Sequence, residues 1–348
     1  PTFPTWNTYP GLFASLATGN PVIVKPHPNA VLPMAITVAI LRDVLQEQGL
    51  DPNVVQLGLS PNNADTQALA TDPAVALIDF TGGTAFGQWL GEHAKQARLY
   101  AEMAGVNTVI LESTDDYAAT MKNLAFTLAL YSGQMCTTTQ NLLIPEGGIA
   151  TNEGHKSFDQ VGQDLGAALS GLLGDVRVAT AVLGAIASPA TSERIAASAQ
   201  VGRMVHASQT IAHPQFPDAV LQTPQLIALT EADSAIYNQE CFGPVAYLVA
   251  VKDGAAALAV AQKTLREHGA LTLGVYSQNA AYIDQAVKVS LRGKVALSIN
   301  LTQGIYVNQS AAFSDFHATG GNPAANASYT NLGFVADRFV IVQRRAHV

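Results

Sequence analysis

Apolar positions along this chain follow two periods that take turns. Pro21-Val22-Ile23-Val24-Lys25 is a compact β-branched run and predicts a strand. From Pro33 to Gly49 the spacing becomes helical, with Ile36, Ile40, Leu41, Val44 and Leu45 on one apolar stripe. Val54 to Leu57 predicts a second strand and Asn63 to Ala70 a short helix. Val75-Ala76-Leu77-Ile78-Asp79-Phe80 predicts a third strand, followed by a Thr81-Gly82-Gly83-Thr84 turn and a helix to about Lys95. Leu99-Tyr100-Ala101 is a fourth strand. Strands separated by helices, with near-continuous apolar runs, imply a doubly wound parallel sheet. Such sheets bind ligands at the carboxyl ends of their strands, where Lys25, Thr81-Gly82-Gly83 and Glu102 fall.

Beyond about residue 110 the alternation resumes. Helical spacing at Asp116–Tyr131, Lys156–Leu173, Thr191–Ala199, Ala255–Glu267 and Ala280–Leu291 is interspersed with strands such as Val245–Val251, Leu271–Tyr276 and Val295–Asn300. This predicts a second α/β unit of similar size. The alanine-rich segment Val178 to Ala187, closed by Pro189, reads as buried core. Arg338-Phe339-Val340-Ile341-Val342-Gln343 is a lone terminal strand, expected to pair with another domain or subunit.

Composition narrows the function. The chain has 348 residues, 48% hydrophobic and 13% charged, enough for a large core. A formal net charge of −8 argues against nucleic acid, which wants a basic face. There is no polybasic run for a membrane surface, and no apolar stretch is expected to approach the ~18 residues of a membrane span. Two distant cysteines make a disulfide framework unexpected, so a reducing cytoplasm is the default. Pro1 is not an initiator methionine and Pro1-Thr2-Phe3-Pro4 lacks a signal-peptide pattern, so the chain reads as a piece of something longer.

The chemistry centres on Cys136, set in Ser132-Gly133-Gln134-Met135-Cys136-Thr137-Thr138 just past a predicted helix. A reactive thiol needs access and surroundings that favour the thiolate. Taken by itself, a cysteine is more often a small buried hydrophobe. Gly82 to Gly87 has G-x-x-x-x-G spacing, but Gln88 stands where a nucleotide-hydrolysing loop needs lysine. The turn still suits a phosphate, because it opens a helix at a strand end. Lys25 either is solvated or points into the cleft. Glu102 ends an apolar run before Met103-Ala104-Gly105, and Glu240 precedes a strand in Glu240-Cys241-Phe242-Gly243-Pro244; either could be a simple turn residue. The eight histidines give no zinc-site spacing, so no metal is expected. Nor is there a G-x-S-x-G elbow.

In combination these strings resemble the aldehyde dehydrogenase superfamily over essentially the whole chain. Trp6-Asn7 is similar to its tryptophan-asparagine pair, and Gly19 to Pro26 to its first cofactor-domain strand. Phe80-Thr81-Gly82-Gly83-Thr84 with Gly87 resembles its phosphate loop, and Glu102-Met103-Ala104-Gly105 its general-base motif. Gly133-Gln134-Met135-Cys136 resembles its nucleophile motif, and Glu240 to Pro244 its nicotinamide-ribose motif. Pro26-His27-Pro28 and Cys136-Thr137-Thr138-Thr139-Gln140-Asn141 look most like the PaaN-type branch from bacterial phenylacetate degradation. Gly83 replaces a common serine and Ala104 a common glycine.

The resemblance implies two doubly wound α/β domains with an active-site cleft between them. It places a dinucleotide-binding domain at 1–110, N-terminally incomplete by roughly 150 residues, about a domain's worth. A catalytic domain follows at 111–310 and a C-terminal return with an oligomerisation strand at 311–348. The implied reaction is NAD(P)-dependent oxidation of an aldehyde to an acid, with a CoA-linked semialdehyde of aromatic catabolism as substrate. Cys136 is the nucleophile, Asn7 an oxyanion donor and Glu102 the base that activates water. Lys25, His27, Pro28, Thr81, Gly82, Gly83, Thr84, Gly87, Glu240 and Phe242 hold the cofactor. Pro28 stands where many NAD-preferring members carry a ribose-binding glutamate, and Lys25 with His27 could welcome a 2′-phosphate, so NADP is favoured over NAD. The full-length protein is expected to be a homo-oligomer, dimer or tetramer, with no nucleic-acid or membrane partner. Rival readings are a CoA-acylating member and a non-catalytic, dehydrogenase-like subunit.

Overall fold

The computed structural model describes residues 2–60, 62–103, 105–317, 321–341 and 343–346. Ala104 of the expected general-base motif and Val342 of the expected terminal strand lie outside them. The chain forms two compact units, one of Pro1–Met103 with Ala327–Val348 and one of Ala104–Asn326. The first boundary therefore precedes the expected 110, because the strand Thr108–Leu111 is a member of the second unit's main sheet. Residues 311–326 likewise join the second unit rather than the C-terminal return.

In the first unit β1 (Val22–Val24) runs parallel to β2 (Val55–Leu57), and β3 (Leu77–Thr81) parallel to β4 (Arg98–Glu102). Helices α1 (Pro4–Ala17), α2 (Val31–Glu47), α3 (Asn63–Ala70) and α4 (Thr84–His93) accompany them. Pro4 opens α1 and Pro10 lies inside it, which hides this helix from propensity reasoning. Helix α2 buries Met34 and Val38, with Leu41 and Leu45, against Leu12, Val24 and Val55. The stripe read from the sequence is thus split. Ile36, Ile40 and Val44 are exposed, together with Leu32, because α2 is apolar on two faces and the described residues cover one. The span Pro28–Glu47 is also long and apolar enough, by length and composition alone, to cross a membrane, against the expectation of no such stretch. A short 3-10 turn (Pro28–Ala30) running into α2 gives it that length.

The terminal segment returns to this unit and sends one side chain into its core. After the short helix Leu332–Ala336 the backbone turns, and the Arg338 guanidinium, 1% exposed, enters the core. It donates to both carboxylate oxygens of Asp79 on β3 at 2.6 and 2.9 Å, to Ser15 Oγ at 2.7 Å and to the Phe334 carbonyl at 2.6 Å. The rings of Phe334 and Tyr100 lie against it at 4.4 and 5.2 Å. This explains why the strand expected at 338–343 is not formed within the described residues: its first residue is turned inward. Phe339, Val340 and Ile341 beyond it are exposed.

The second unit is built on a seven-stranded sheet. Its order is Arg203–His206, Gln225–Thr230, Val245–Val251, Asn141–Pro145, β5 (Thr108–Leu111), Thr272–Tyr276 and Ala296–Ile299, all parallel except the first, an antiparallel edge. Helices Phe158–Leu173 and α5 (Tyr117–Ala129) pack on one face, and Gly254–Glu267 and Ala280–Gly293 on the other. Burial on both faces is what the unbroken apolar runs demand. The segment around Val178 is half core: Ala179, Val182 and Leu183 are buried on the helix Val176–Val182 and just after it, while Val178 is exposed.

Candidate functional site

Each unit brings a set of the sequence-predicted residues together, at opposite ends of its strands. In the first unit the set lies at carboxyl ends. Lys25 follows β1, Thr81 ends β3 and Glu102 ends β4, with Thr81 and Glu102 paired in register. The Gly82 N–H donates to the Glu102 carbonyl at 3.1 Å, tying the glycine turn to β4. The Glu102 residue is buried, 8% exposed. Gly83 is the N-cap of α4, Thr84 opens the helix, and no side chain caps it. A Cβ on Gly83 would meet nothing within 4 Å, whereas one on Gly87 would strike Met103. The result is an open, uncapped helix start whose N–H groups suit an anion.

Two further residues of this unit make local hydrogen bonds. The Asn7 side-chain amide, on α1, donates to the Thr2 carbonyl at 3.2 Å. His27 caps the 3-10 turn that Pro28 opens, its Nδ1 accepting from the Asn29 N–H at 3.1 Å. Partial burial of the ring, with the Lys25 charge adding to it, lowers the His27 pKa. The ring is therefore neutral at pH 7, and of this pair Lys25 carries the positive charge.

In the second unit the set lies at amino ends. Because six of the seven strands are parallel, the segments entering them share one edge: Gly105–Asn107, Met135–Gln140, Glu240–Pro244 and Gly269–Leu271. The nucleophile string leaves α5 through three successive left-handed residues, Tyr131, Ser132 and Gly133 (φ 53°, 54° and 62°). Two of them are not glycine, a conformation that costs energy and concentrates at functional loops. Ser132 Oγ anchors the kink by donating to the Gln222 carbonyl at 3.1 Å. A Cβ on Gly133 would lie 2.4 Å from the Gly243 carbonyl oxygen, so glycine permits the two loops to touch. The Thr138 N–H donates to the Met135 carbonyl at 3.1 Å, putting Cys136 at the head of a tight turn.

Gln140 and Arg194 hold the Glu240 turn. The Gln140 amide nitrogen donates to the Gln239 carbonyl at 2.7 Å, and its oxygen accepts from the Cys241 N–H at 2.6 Å. The Arg194 guanidinium donates to the Phe242 carbonyl at 3.1 and 3.2 Å. Glu240 and Phe242 thereby line a small cleft with Gly133, Met135 and Thr138. The other thiol, Cys241, has its pKa raised by burial and stays protonated. A second cavity of about 40 Å³ lies on the other flank of the loop, lined by Met135, Thr137, Val109, Leu124, Tyr276 and Tyr306.

Sequence reasoning missed two residues here. Asn107, 2% exposed, donates from its amide to the carbonyls of Cys136 (2.7 Å) and Thr138 (3.0 Å). Its oxygen accepts from the Leu271 and Thr272 N–H groups, both at 3.0 Å. One side chain therefore fixes the nucleophile turn to two neighbouring strands. A polar residue inside the run Val106 to Leu111 was the available signal. His317, 1% exposed, places Nε2 3.1 Å from Cys136 Sγ. No spacing rule points to it.

The comparisons bear on the family and the fold. The aldehyde dehydrogenase family model matches residues 3–329. Over 302 residues the chain is 26% identical to 1-pyrroline-5-carboxylate dehydrogenase 1 of Halalkalibacterium halodurans, covering 84% of this chain and 55% of that one. It is 25% identical to salicylaldehyde dehydrogenase of Pseudomonas putida, covering 79% and 54%. A crystal structure described as an NAD-dependent aldehyde dehydrogenase from Burkholderia multivorans superposes with a TM-score of 0.94 at 55% identity, over 100% of this chain and 62% of that one. The chain thus spans about half the length of the curated relatives it matches. With the motifs, the fold and the family match in agreement, this chain belongs to the aldehyde dehydrogenase family.

Proposed function

We propose that the whole protein oxidises an aldehyde to a carboxylic acid with a nicotinamide dinucleotide, through a thioester on Cys136. The observation that carries this reading is the amino edge of the second unit, where Gly133 and Gln140 join the Cys136 turn to the Glu240–Gly243 turn and Asn107 braces the Cys136 turn from the other side. The dinucleotide fits the residues present: the uncapped start of α4 and the open space over Gly83 suit its pyrophosphate, and Thr81, Gly82, Thr84 and Gly87 shape that turn. Lys25 would hold the adenosine end, Glu240 and Phe242 the nicotinamide ribose. When bound, the dinucleotide supplies the acceptor for the hydride that the aldehyde carbon loses.

The chain's own groups supply the rest. Cys136 Sγ attacks the carbonyl carbon, and the developing oxyanion takes hydrogen bonds from the Cys136 backbone N–H and the Asn7 amide, donors worth roughly 3–4 kcal/mol each in such holes. Loss of hydride leaves an acyl thioester. Glu102 then removes a proton from water as it attacks, and the acid departs with the thiol restored. The substrate class we favour is a CoA-linked semialdehyde of aromatic catabolism, on the wording around Pro26-His27-Pro28 and Cys136 to Asn141. NADP is favoured on charge, since Pro28 puts no carboxylate near Lys25. The similar structure from Burkholderia multivorans is described as NAD-dependent, so preference for NAD by this protein would overturn that charge argument. We further propose a cytoplasmic homo-oligomer, supported by two cysteines that form no disulfide and by the exposed Phe339-Val340-Ile341 segment.

The test is a rapid-mixing measurement of reduced cofactor on the full-length protein, with an aldehyde panel and each dinucleotide. Glu102→Gln should give a burst near one equivalent per site and then slow turnover. No turnover with any aldehyde by the unmodified protein rejects the reading; loss of the burst itself in the variant would move Glu102 to an earlier step.

A further inference from the structure

The general-base reading leaves unexplained how the Cys136 thiol loses its own proton, and His317 answers it. This residue sits just beyond the short helix Gln309–Phe313 and is buried. Its backbone N–H donates to the Ser314 carbonyl at 2.8 Å, which holds the segment in a turn. The two ring nitrogens have different neighbours. Nδ1 meets the carbonyl oxygen of Ala311, and Nε2 meets Cys136 Sγ at 3.1 Å. A carbonyl only accepts, so Nδ1 must carry the proton of the neutral ring. Nε2 then has a lone pair directed at the sulfur, and the thiol S–H is the donor in that contact. The backbone of Ala311 sets the tautomer and also braces the cation that proton transfer creates.

We propose that His317 is a catalytic residue of this protein, the acceptor of the Cys136 thiol proton. The S–H bond breaks and an Nε2–H bond forms, giving a thiolate and an imidazolium with no change of oxidation state. The inference rests on Cys136 being the nucleophile, but not on which aldehyde or dinucleotide is used. An unassisted thiol with a pKa near ~8.5 is only about 3% thiolate at pH 7, whereas histidine-paired thiols are largely ionised. Ionisation could therefore raise reactivity by at most about 30-fold, and the lower intrinsic nucleophilicity of a more acidic thiol trims this to roughly 10-fold.

The experiment reads Cys136 alkylation by iodoacetamide at neutral pH, followed by peptide mass spectrometry, on the full-length protein without aldehyde or dinucleotide. Cys136 should react about 10-fold faster than N-acetylcysteine. His317→Gln should remove that advantage, and exogenous imidazole should restore part of it in His317→Ala. A Cys136 rate equal to that of the free thiol overturns the proposal, even if neither variant folds. So does a larger loss in Glu102→Gln than in His317→Gln, which would assign thiol activation to the carboxylate. Because no turnover is measured, a protein that alkylates as expected yet oxidises no aldehyde would reject the proposed function and keep the His317 assignment.

Discussion

The two units use opposite ends of their strands, and use them differently. The first unit presents its glycine turn at carboxyl ends, and a side chain added at Gly83 would enter empty space. The second presents its loops at amino ends, and a side chain added at Gly133 would collide with the backbone of the neighbouring loop. Open space with uncapped N–H groups suits a ligand that must arrive and leave. Loops in van der Waals contact, cross-braced by a buried amide, suit an atom that must be in place before reaction, where small misplacements are expensive. The familiar rule that ligands lie at carboxyl ends locates the first site and is silent about the second.

Three experiments press on that contrast, beginning with the largest effect. Cys136→Ser should lower steady-state oxidation by at least about 10³-fold while dinucleotide titration stays nearly unchanged, and Cys241→Ser should be mild. Comparable losses at both cysteines would mean the amino edge is not organised around Cys136. Next, Asn107→Ala strands the Cys136 and Thr138 carbonyls and two strand N–H groups. It should cost about 2–4 kcal/mol in denaturant unfolding and lower kcat more than it raises KM. A stability change under ~1 kcal/mol would show that water replaces the amide and that the brace is dispensable. The smallest effect is a paired one. Gly133→Ala should destabilise by roughly 1–3 kcal/mol, from its left-handed backbone and the Gly243 clash, whereas Gly83→Ser should add a few tenths by capping α4. Equal shifts in Tm for the two would erase the distinction between a tight edge and an open one.

Much of the scaffold was legible because local rules wrote it. Asn63–Ala70 and Val245–Val251 fall where periodicity puts them, and Asp116 caps α5, its side chain accepting from the Ala119 N–H at 3.1 Å. The glycine turn and the Cys136 string were legible as motifs. Other features depend on partners distant in the chain. Met34, rather than Ile36, faces the core because β1 and β2 lie on that side of α2, and amphipathicity says nothing when both faces are apolar. Asn107, just before β5, and Asn141, the first residue of Asn141–Pro145, are polar residues in apolar surroundings that serve the neighbouring loops. His317 lies 181 residues from Cys136, and such a pairing is a property of the fold alone.

Arg338 carries a consequence for how the protein is made. Its carboxylate partner, Asp79, is 259 residues earlier in the chain. At about 5–20 residues per second, a ribosome delivers the guanidinium roughly 13–50 seconds after β3 has been synthesised. Through that interval Asp79, Ser15 and the Tyr100 ring wait without the cation that joins them, while the uninterrupted stretch Ala104–Asn326 emerges whole and can fold as it comes. Until then the nascent first unit lacks its buried ion pair.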